Sequence, residues 1–376
     1  MVKSNRVWVR QQSWLAVVLL FSSLFATAET TYLQRLVAEV EQQPDLQLAM
    51  QNRIHFNTNV SSFTTAREFY GKLGFTTLSG FPDTNTLAMA QAIGISTPTS
   101  YDGAQGGEAG GYLLHGELIG LGFNKGVIDL IEFTIPRNDA APYPSTNRLG
   151  LSRAVIYSRN LDWDYANMTS QGITFLSAPT QTQQGTRFAI FKDPDGTFYE
   201  LREQPGETDA EALSQFESLG AVVINVSDLQ RSASWYRMLG FEISGVFTQA
   251  DYAGATGALG FSEPVQFAGI ELTHKVDGST LELVEWAYPR DLTPPYPVPI
   301  NHIGIHRMAF TTTDMDGDVA KLRAAGVRFI SDVTPCCSGP DSWGGIVAFY
   351  DPDGTIMELA DNPMMTVMSW IMRLFN

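Results

Sequence analysis

Asp193-Pro194-Asp195-Gly196 runs into Thr197-Phe198-Tyr199-Glu200-Leu201, and Asp351-Pro352-Asp353-Gly354 runs into Thr355-Ile356-Met357-Glu358-Leu359. Each copy reads as a tight turn followed by a short apolar strand carrying one carboxylate, because Pro and Gly punctuate the chain and the residues after them suit a pleated strand. Outward from the turns the match continues. Ser152-Arg153-Ala154-Val155-Ile156-Tyr157 corresponds to His306-Arg307-Met308-Ala309-Phe310-Thr311, and Gly172-Ile173 to Gly326-Val327, at an offset of 154. Earlier in each half, Asn59, Phe69-Tyr70 and Leu73-Gly74-Phe75 correspond to Asn225, Trp235-Tyr236 and Leu239-Gly240-Phe241. Ile128 to Phe133 corresponds to Leu281 to Trp286, and Pro142-Tyr143-Pro144 to Pro295-Tyr296-Pro297. A repeat of this length is domain-sized and too long for a solenoid.

Each half divides again. An apolar strand is followed by a helix, marked by spacing such as Ala66, Phe69, Tyr70 and Leu73 and closed by Gly74, and then by further strands. The simplest account is four β-α-β-β-β modules, an α+β fold. The expected segments are a first unit at 51–205 holding modules one and two, and a second at 215–362 holding modules three and four. The polar stretch from Gln204 to Ala212 joins them.

This order of elements, with the Leu-Gly-Phe helix ends, the Asp-Pro-Asp-Gly turns and the Glu-Leu strands, resembles the vicinal oxygen chelate superfamily. That family holds glyoxalase I, extradiol dioxygenases, epimerases and bleomycin-resistance proteins. The resemblance covers residues 51–362 and speaks for the fold; the reaction is left open, because one fold hosts many chemistries.

The flanks and composition set the context. Lys3, Arg6 and Arg10 precede an apolar run from Trp14 to Phe21, and Ala26-Thr27-Ala28 closes it, the pattern of a cleavable secretory signal at 1–28. The mature protein is therefore expected in the periplasm or outside the cell. The chain carries a net charge of −16. Loss of the leader removes three cations and no acids, which argues against nucleic acid and anionic membranes as partners. Residues 29–50 form an N-terminal segment with an amphipathic helix over 32–42. Residues 363–376 read as an apolar helix, Met-rich but too short to span a bilayer. The mature chain has no stable membrane span and is expected as a monomer or homodimer acting on a small molecule. Adjacent Cys336 and Cys337 are expected to be structural.

The resemblance implies one metal position near the start of each module's first strand and one on its last strand. These hold His55 and Asp129 in module one, and Ser152 and Glu200 in module two. They hold Ala221 and Glu282 in module three, and His306 and Glu358 in module four. Pairing of sequence neighbours would leave each cavity short of a histidine. Pairing of outer with outer modules gathers His55, Asp129, His306 and Glu358 in one cavity and leaves the inner one without any; this second arrangement is favoured. His55, Asn57 and Asn59 share one strand face, and Met308 and Phe310 are expected as an apolar wall on the face of His306. His302, His115 and His274 are placed in structural roles, with a supporting place behind the site as the alternative for His302. The implied cofactor is one divalent ion, Fe, Mn, Ni or Zn, held by His55, Asp129, His306 and Glu358, with Asp129 and Glu358 as catalytic carboxylates. The expected activity is that of a glyoxalase-like lyase or isomerase on a small carbonyl or diol compound. The alternatives are an extradiol-type Fe(II) dioxygenase, with His55, His306 and Glu358 as its triad, and a non-catalytic binding protein.

Overall fold

The computed structural model describes residues 31–81, 85–96, 98–122, 125–336 and 344–361. The expected signal segment, the expected C-terminal helix and Cys337 lie outside them; Cys336 is disulfide-bonded. Among the described residues no helix is long and apolar enough to cross a membrane.

Helix α1 (31–41) buries Leu33, Leu36 and Val40, which share one helical face. Module one follows as β1 (Met50–Asn59), α2 (Phe63–Lys72), β2 (Thr76–Gly80), α3 (Leu87–Ala92), β3 (Leu113–Gly120) and β4 (Val127–Ile135). Module two is β5 (Gly150–Ser158), α4 (Leu161–Ser170), β6 (Thr180–Gln181), β7 (Arg187–Lys192) and β8 (Phe198–Glu203). Module three is β9 (Phe216–Asn225), α5 (Leu229–Met238), β10 (Phe241–Thr248), β11 (Gln266–His274) and β12 (Thr280–Tyr288). Module four is β13 (Gly304–Thr312), α6 (Met315–Ala324), β14 (Thr334–Cys336), β15 (Gly344–Tyr350) and β16 (Ile356–Asp361). The four β-α-β-β-β modules are thus present, with α3 inserted in the first.

The strands form two eight-stranded sheets. One runs β14-β15-β16-β13-β1-β4-β3-β2, and the other β10-β11-β12-β9-β5-β8-β7-β6. The seam of the first is the antiparallel pair β1–β13, and that of the second is β5–β9. Outer modules therefore pair with each other, as do inner modules, and each half of the chain contributes one module to each sheet.

Strand alternation decides what each face carries. Phe56, Ile128, Leu130, Met308, Phe310, Met357 and Leu359 of the outer sheet join Ile156, Tyr199, Leu201, Val222, Ile224, Leu281 and Leu283 of the inner sheet in one central core. The intervening residues line the opposite, curled faces, the two cups. Ala90, Ile93, Ile95 and Tyr112 pack over the outer cup with Ile131 and Phe133. Ala255, Ala258 and Leu259 close the inner cup over Phe188, Phe198, Phe247, Phe267 and Trp286.

The repeated motifs hold the modules to one another. Asp193 accepts from the backbone N–H of Asp195 at 3.0 Å and of Thr197 at 2.8 Å, fixing the turn. Asp195 then reaches into module one, accepting from the Ser61 N–H (2.8 Å) and hydroxyl (2.5 Å) beside the start of α2. Asp353 does the same to Ser227 of module three at 2.8 and 2.6 Å, and also pairs with Arg231. The two Pro-Tyr-Pro motifs meet. Tyr143 lies 3.9 Å from Tyr296 between ring centroids, and the Tyr296 hydroxyl accepts from the Tyr143 N–H at 3.0 Å. Gly150 and Gly304, which open β5 and β13, sit beneath this contact at φ +96° and +120°; a Cβ on either would meet Pro295 at 2.9 Å or the Tyr296 hydroxyl at 2.7 Å.

Candidate functional site in the outer cup

The cup-facing residues of β1 are His55, Asn57 and Asn59, as their two-residue spacing requires. Parallel pairing sets Asn57 beside Asp129 of β4, and the Asn57 amide donates to the Asp129 carboxylate. The Nδ1 of His55 stands 3.9 Å from the same carboxylate. Glu358 enters from β16 beside Ala309 of β13. Between the two acids lies Arg307. Its Nε donates to Glu358 at 2.7 Å and its Nη2 to Asp129 at 3.4 Å.

His306 does not join them. Its ring is buried and stacks against Tyr296, 5.7 Å between centroids and 17° from parallel. The reason is a bulge in β13: Thr58 pairs with Ile305 and Phe56 with Met308, so residues 306 and 307 together oppose Asn57 and strict alternation breaks there. Ile305, Met308 and Phe310 all belong to the central core, so the expected wall of Met308 and Phe310 does not line the cup. Of these two, Arg307 reaches the carboxylates. His302 stacks on Tyr296 at 4.1 Å, His115 packs on Phe63 at 4.1 Å, and His274 pairs with Asp277 at 3.0 Å.

Burial governs protonation here. Burial, and then the neighbouring Arg307 charge, push His55 down to about 3, so its imidazole is neutral. His306 is lowered to about 3 in the same way, by burial first and then by Arg307 and His302. Burial drives Asp129 up to about 7, with Arg307 opposing the rise and Glu358 adding to it. Several polar atoms in the cup are buried with no hydrogen-bond partner among the described residues: His55 Nδ1, Asn57 Oδ1, Asn59 Oδ1, Asp129 Oδ1 and Arg307 Nη1. Native structures leave few such atoms, and a cluster of them calls for a reason.

The inner cup carries the corresponding positions. Arg153 donates to Glu200 at 2.8 Å; Arg202 pairs with Glu200 and with Glu282, both at 2.6 Å. Burial opposes the charge on Glu200, yet Arg202 and Arg153 together hold its carboxyl below the usual range. Glu282 Oε2 is the one unpartnered buried atom of that four-residue chain among the described residues.

The model of the Glyoxalase/Bleomycin resistance protein/Dioxygenase superfamily matches the sequence over residues 53–201 and again over 218–359. The chain belongs to that superfamily. No curated protein matches it. Among solved structures, glyoxalase I from Zea mays is similar with a TM-score of 0.56 and 17% identity, covering 85% of this chain and 96% of that one. A putative dioxygenase from Bacillus subtilis is similar with a TM-score of 0.50 and 13% identity, covering 84% of this chain and 86% of that one. At these identities the likeness is one of fold.

Metal-using members of the superfamily raise the question of whether the residues of the outer cup suit a metal ion. As arranged they do not. Among the described residues no group of three or more His, Cys, Asp or Glu side chains is disposed to hold one. His306 packs on Tyr296, and the guanidinium of Arg307 already bridges Asp129 and Glu358. A divalent ion bound to those oxygens would stand against that like charge. Of the expected set, His55, Asp129 and Glu358 line the cup with Asn57 and Arg307 among them, and His306 packs on Tyr296. Sequence reasoning passed over Arg307, although an arginine stands at this place in both copies of the repeat, as Arg153 and Arg307.

Proposed function

We propose that the outer cup is the ligand site and that the protein is a lyase or isomerase moving a proton on a small carbonyl or diol compound. The observation that carries this reading is the gathering of unpartnered buried polar atoms, Asp129 Oδ1 and Arg307 Nη1 among them, in one cup of the two. Asp129 is the proton acceptor, with neutral His55 beside it at 3.9 Å. Arg307 Nη1 donates to the substrate oxygen on which negative charge grows, in a water-poor setting where a fixed cation acts strongly. Glu358 positions Arg307 through the 2.7 Å bond to its Nε. No step passes through a metal. The stacking of His306 on Tyr296 favours this reading over the dioxygenase alternative, whose triad needs His306.

The test is deuterium wash-in. Small α-hydroxyketones and 2-oxoaldehydes incubated with the protein in D2O should exchange the proton next to the carbonyl, and Asp129→Asn should slow this by about 100-fold or more. Ligand binding at the cup without exchange would replace the enzyme with a binding protein, a reading favoured by the firm Arg307–Glu358 pair.

We also propose export, from the basic and apolar leader ending at Ala28. Mass spectrometry of protein from its own cell should find an N-terminus at or near Glu29; a full-length product would end that reading.

A further inference from the structure

The two cups can be compared position by position. Val155 pairs with Glu200 as Ala309 pairs with Glu358, and Tyr157 pairs with Arg202 as Thr311 pairs with Ala360. Val223 pairs with Glu282 as Asn57 pairs with Asp129. Arg153 lies opposite Val223 at the inner seam, and Arg307 lies opposite Asn57 at the bulge of the outer one. The outer cup therefore keeps the two carboxylates and the seam arginine of the inner cup but lacks Arg202, whose place is taken by Ala360.

Arg202 binds both inner carboxylates, to Glu200 and Glu282 at 2.6 Å each. Among the described residues the outer cup has no second guanidinium between Glu358 and Asp129. Arg307 must serve both, and its contact to Asp129 stretches to 3.4 Å while Asp129 Oδ1 stays unpartnered. Asn57 Oδ1 and Asn59 Oδ1 are likewise unpartnered. In the inner cup the counterpart of Asn59, Asn225, accepts from the Trp286 indole N–H at 3.0 Å; Phe133, at the position of Trp286, has no donor to offer. The outer cup is short of N–H donors, and short of one cation.

We propose that the ligand of the outer cup carries a cationic N–H group, an ammonium or guanidinium, that takes the place beside Glu358 and Asp129 held in the inner cup by Arg202. It rests on the outer cup being the ligand site and adds the substrate class: a small amino- or guanidino-substituted carbonyl or diol compound. The inner cup shows that two guanidinium groups and two carboxylates can be buried together in this framework. A monocation reproduces that arrangement, whereas a divalent ion brings twice the charge next to Arg307. A cation here also holds Asp129 ionised, the form that accepts a proton.

The experiment uses the mature chain and isothermal titration with paired probes: methylguanidinium against N-methylurea, n-butylammonium against n-butanol, with butyrate and Zn2+ alongside. Each cation should bind at least about tenfold tighter than its neutral partner, and Ala360→Arg, which supplies the inner cup's guanidinium, should remove that binding. Asp129→Asn serves as a second variant should Ala360→Arg fail to fold, and should cost the cations about tenfold while leaving the neutral probes unchanged. In the inner cup, Arg202→Ala should gain thermal stability from methylguanidinium beyond the gain of the wild type. Neutral, anionic or Zn2+ probes that bind better than the cations, and lose binding in Ala360→Arg, would overturn the cationic class and leave the site standing. Binding of every probe unaffected by both variants would overturn the site as well.

Discussion

The inner cup holds Arg153, Glu200, Arg202 and Glu282 in a continuous chain of ion pairs of 2.6–2.8 Å. Around it, aromatic rings touch one another: Phe267 lies 4.9 Å from Trp286 and 5.4 Å from Tyr252, and Phe188 lies 5.6 Å from Tyr252. The outer cup holds three of the four charges, one buried aromatic contact of 6.3 Å between Tyr112 and Phe133, and five polar atoms without partners among the described residues. One framework has been completed as a core and the other left incomplete in hydrogen bonds. Unmet donors and acceptors cost stability, so a protein that keeps five of them in one cup and leaves only Glu282 Oε2 in the ion-pair chain of the other, among the described residues, is expected to use the first.

The largest effect should come from breaking the completed chain. Glu200→Ala leaves Arg153 and Arg202 both short of a partner and should cost about 3–5 kcal/mol by chemical denaturation. Glu358→Ala leaves Arg307 with Asp129 still at hand and should cost about 1–3 kcal/mol. Equal losses would mean that the outer pair is as structural as the inner one.

A second effect sharpens the comparison through pH. Burial raises Asp193 to about 7, with Asp195 adding to the rise and the turn N–H groups and the Tyr70 hydroxyl opposing it. Burial likewise raises Asp351 to about 6, with Asp353 adding to the rise and the Thr355 hydrogen bonds opposing it. Because these carboxyls hold their protons more tightly folded than unfolded, their contribution is greatest below about pH 4 and is lost as pH climbs toward 7 or 6. Asp193→Asn should flatten the fall in melting temperature between pH 4 and 7 more than Asp351→Asn does; the reverse order would contradict the difference between the two turns.

The smallest effect concerns the clamps. Asp195→Ala loses two hydrogen bonds to Ser61, about 1–2 kcal/mol, and Asp353→Ala should lose slightly more because Arg231 also goes unpaired. Denaturation midpoints that coincide would show the Arg231 pair to be idle.

Much of this could be read from residues alone. The duplicated turns, the Leu-Gly-Phe helix ends and the two Pro-Tyr-Pro motifs marked modules that the sheets reproduce. The loss of histidine at positions 152 and 221 pointed to outer pairing, which the β1–β13 seam shows. The site was less legible, because a strand presents its neighbours on opposite faces and one position decides which side chain enters a cup. His306 was placed by its alignment with a ligand position, but the bulge sets His306 and Arg307 together opposite Asn57, and a bulge leaves no mark in the residue pattern. Arg202 and Ala360 looked unremarkable in sequence, since their meaning depends on which carboxylates lie within reach.

The interleaving of the halves has an evolutionary consequence. A half-length ancestor with this topology would have completed its sheets by pairing with a copy of itself, and each substitution would have appeared in both cups at once. Joined end to end through residues 204–212, the copies kept the seams but were released from that symmetry. Arg202 could then settle one cup while alanine at position 360 left its twin receptive, a division of labour closed to any true homodimer.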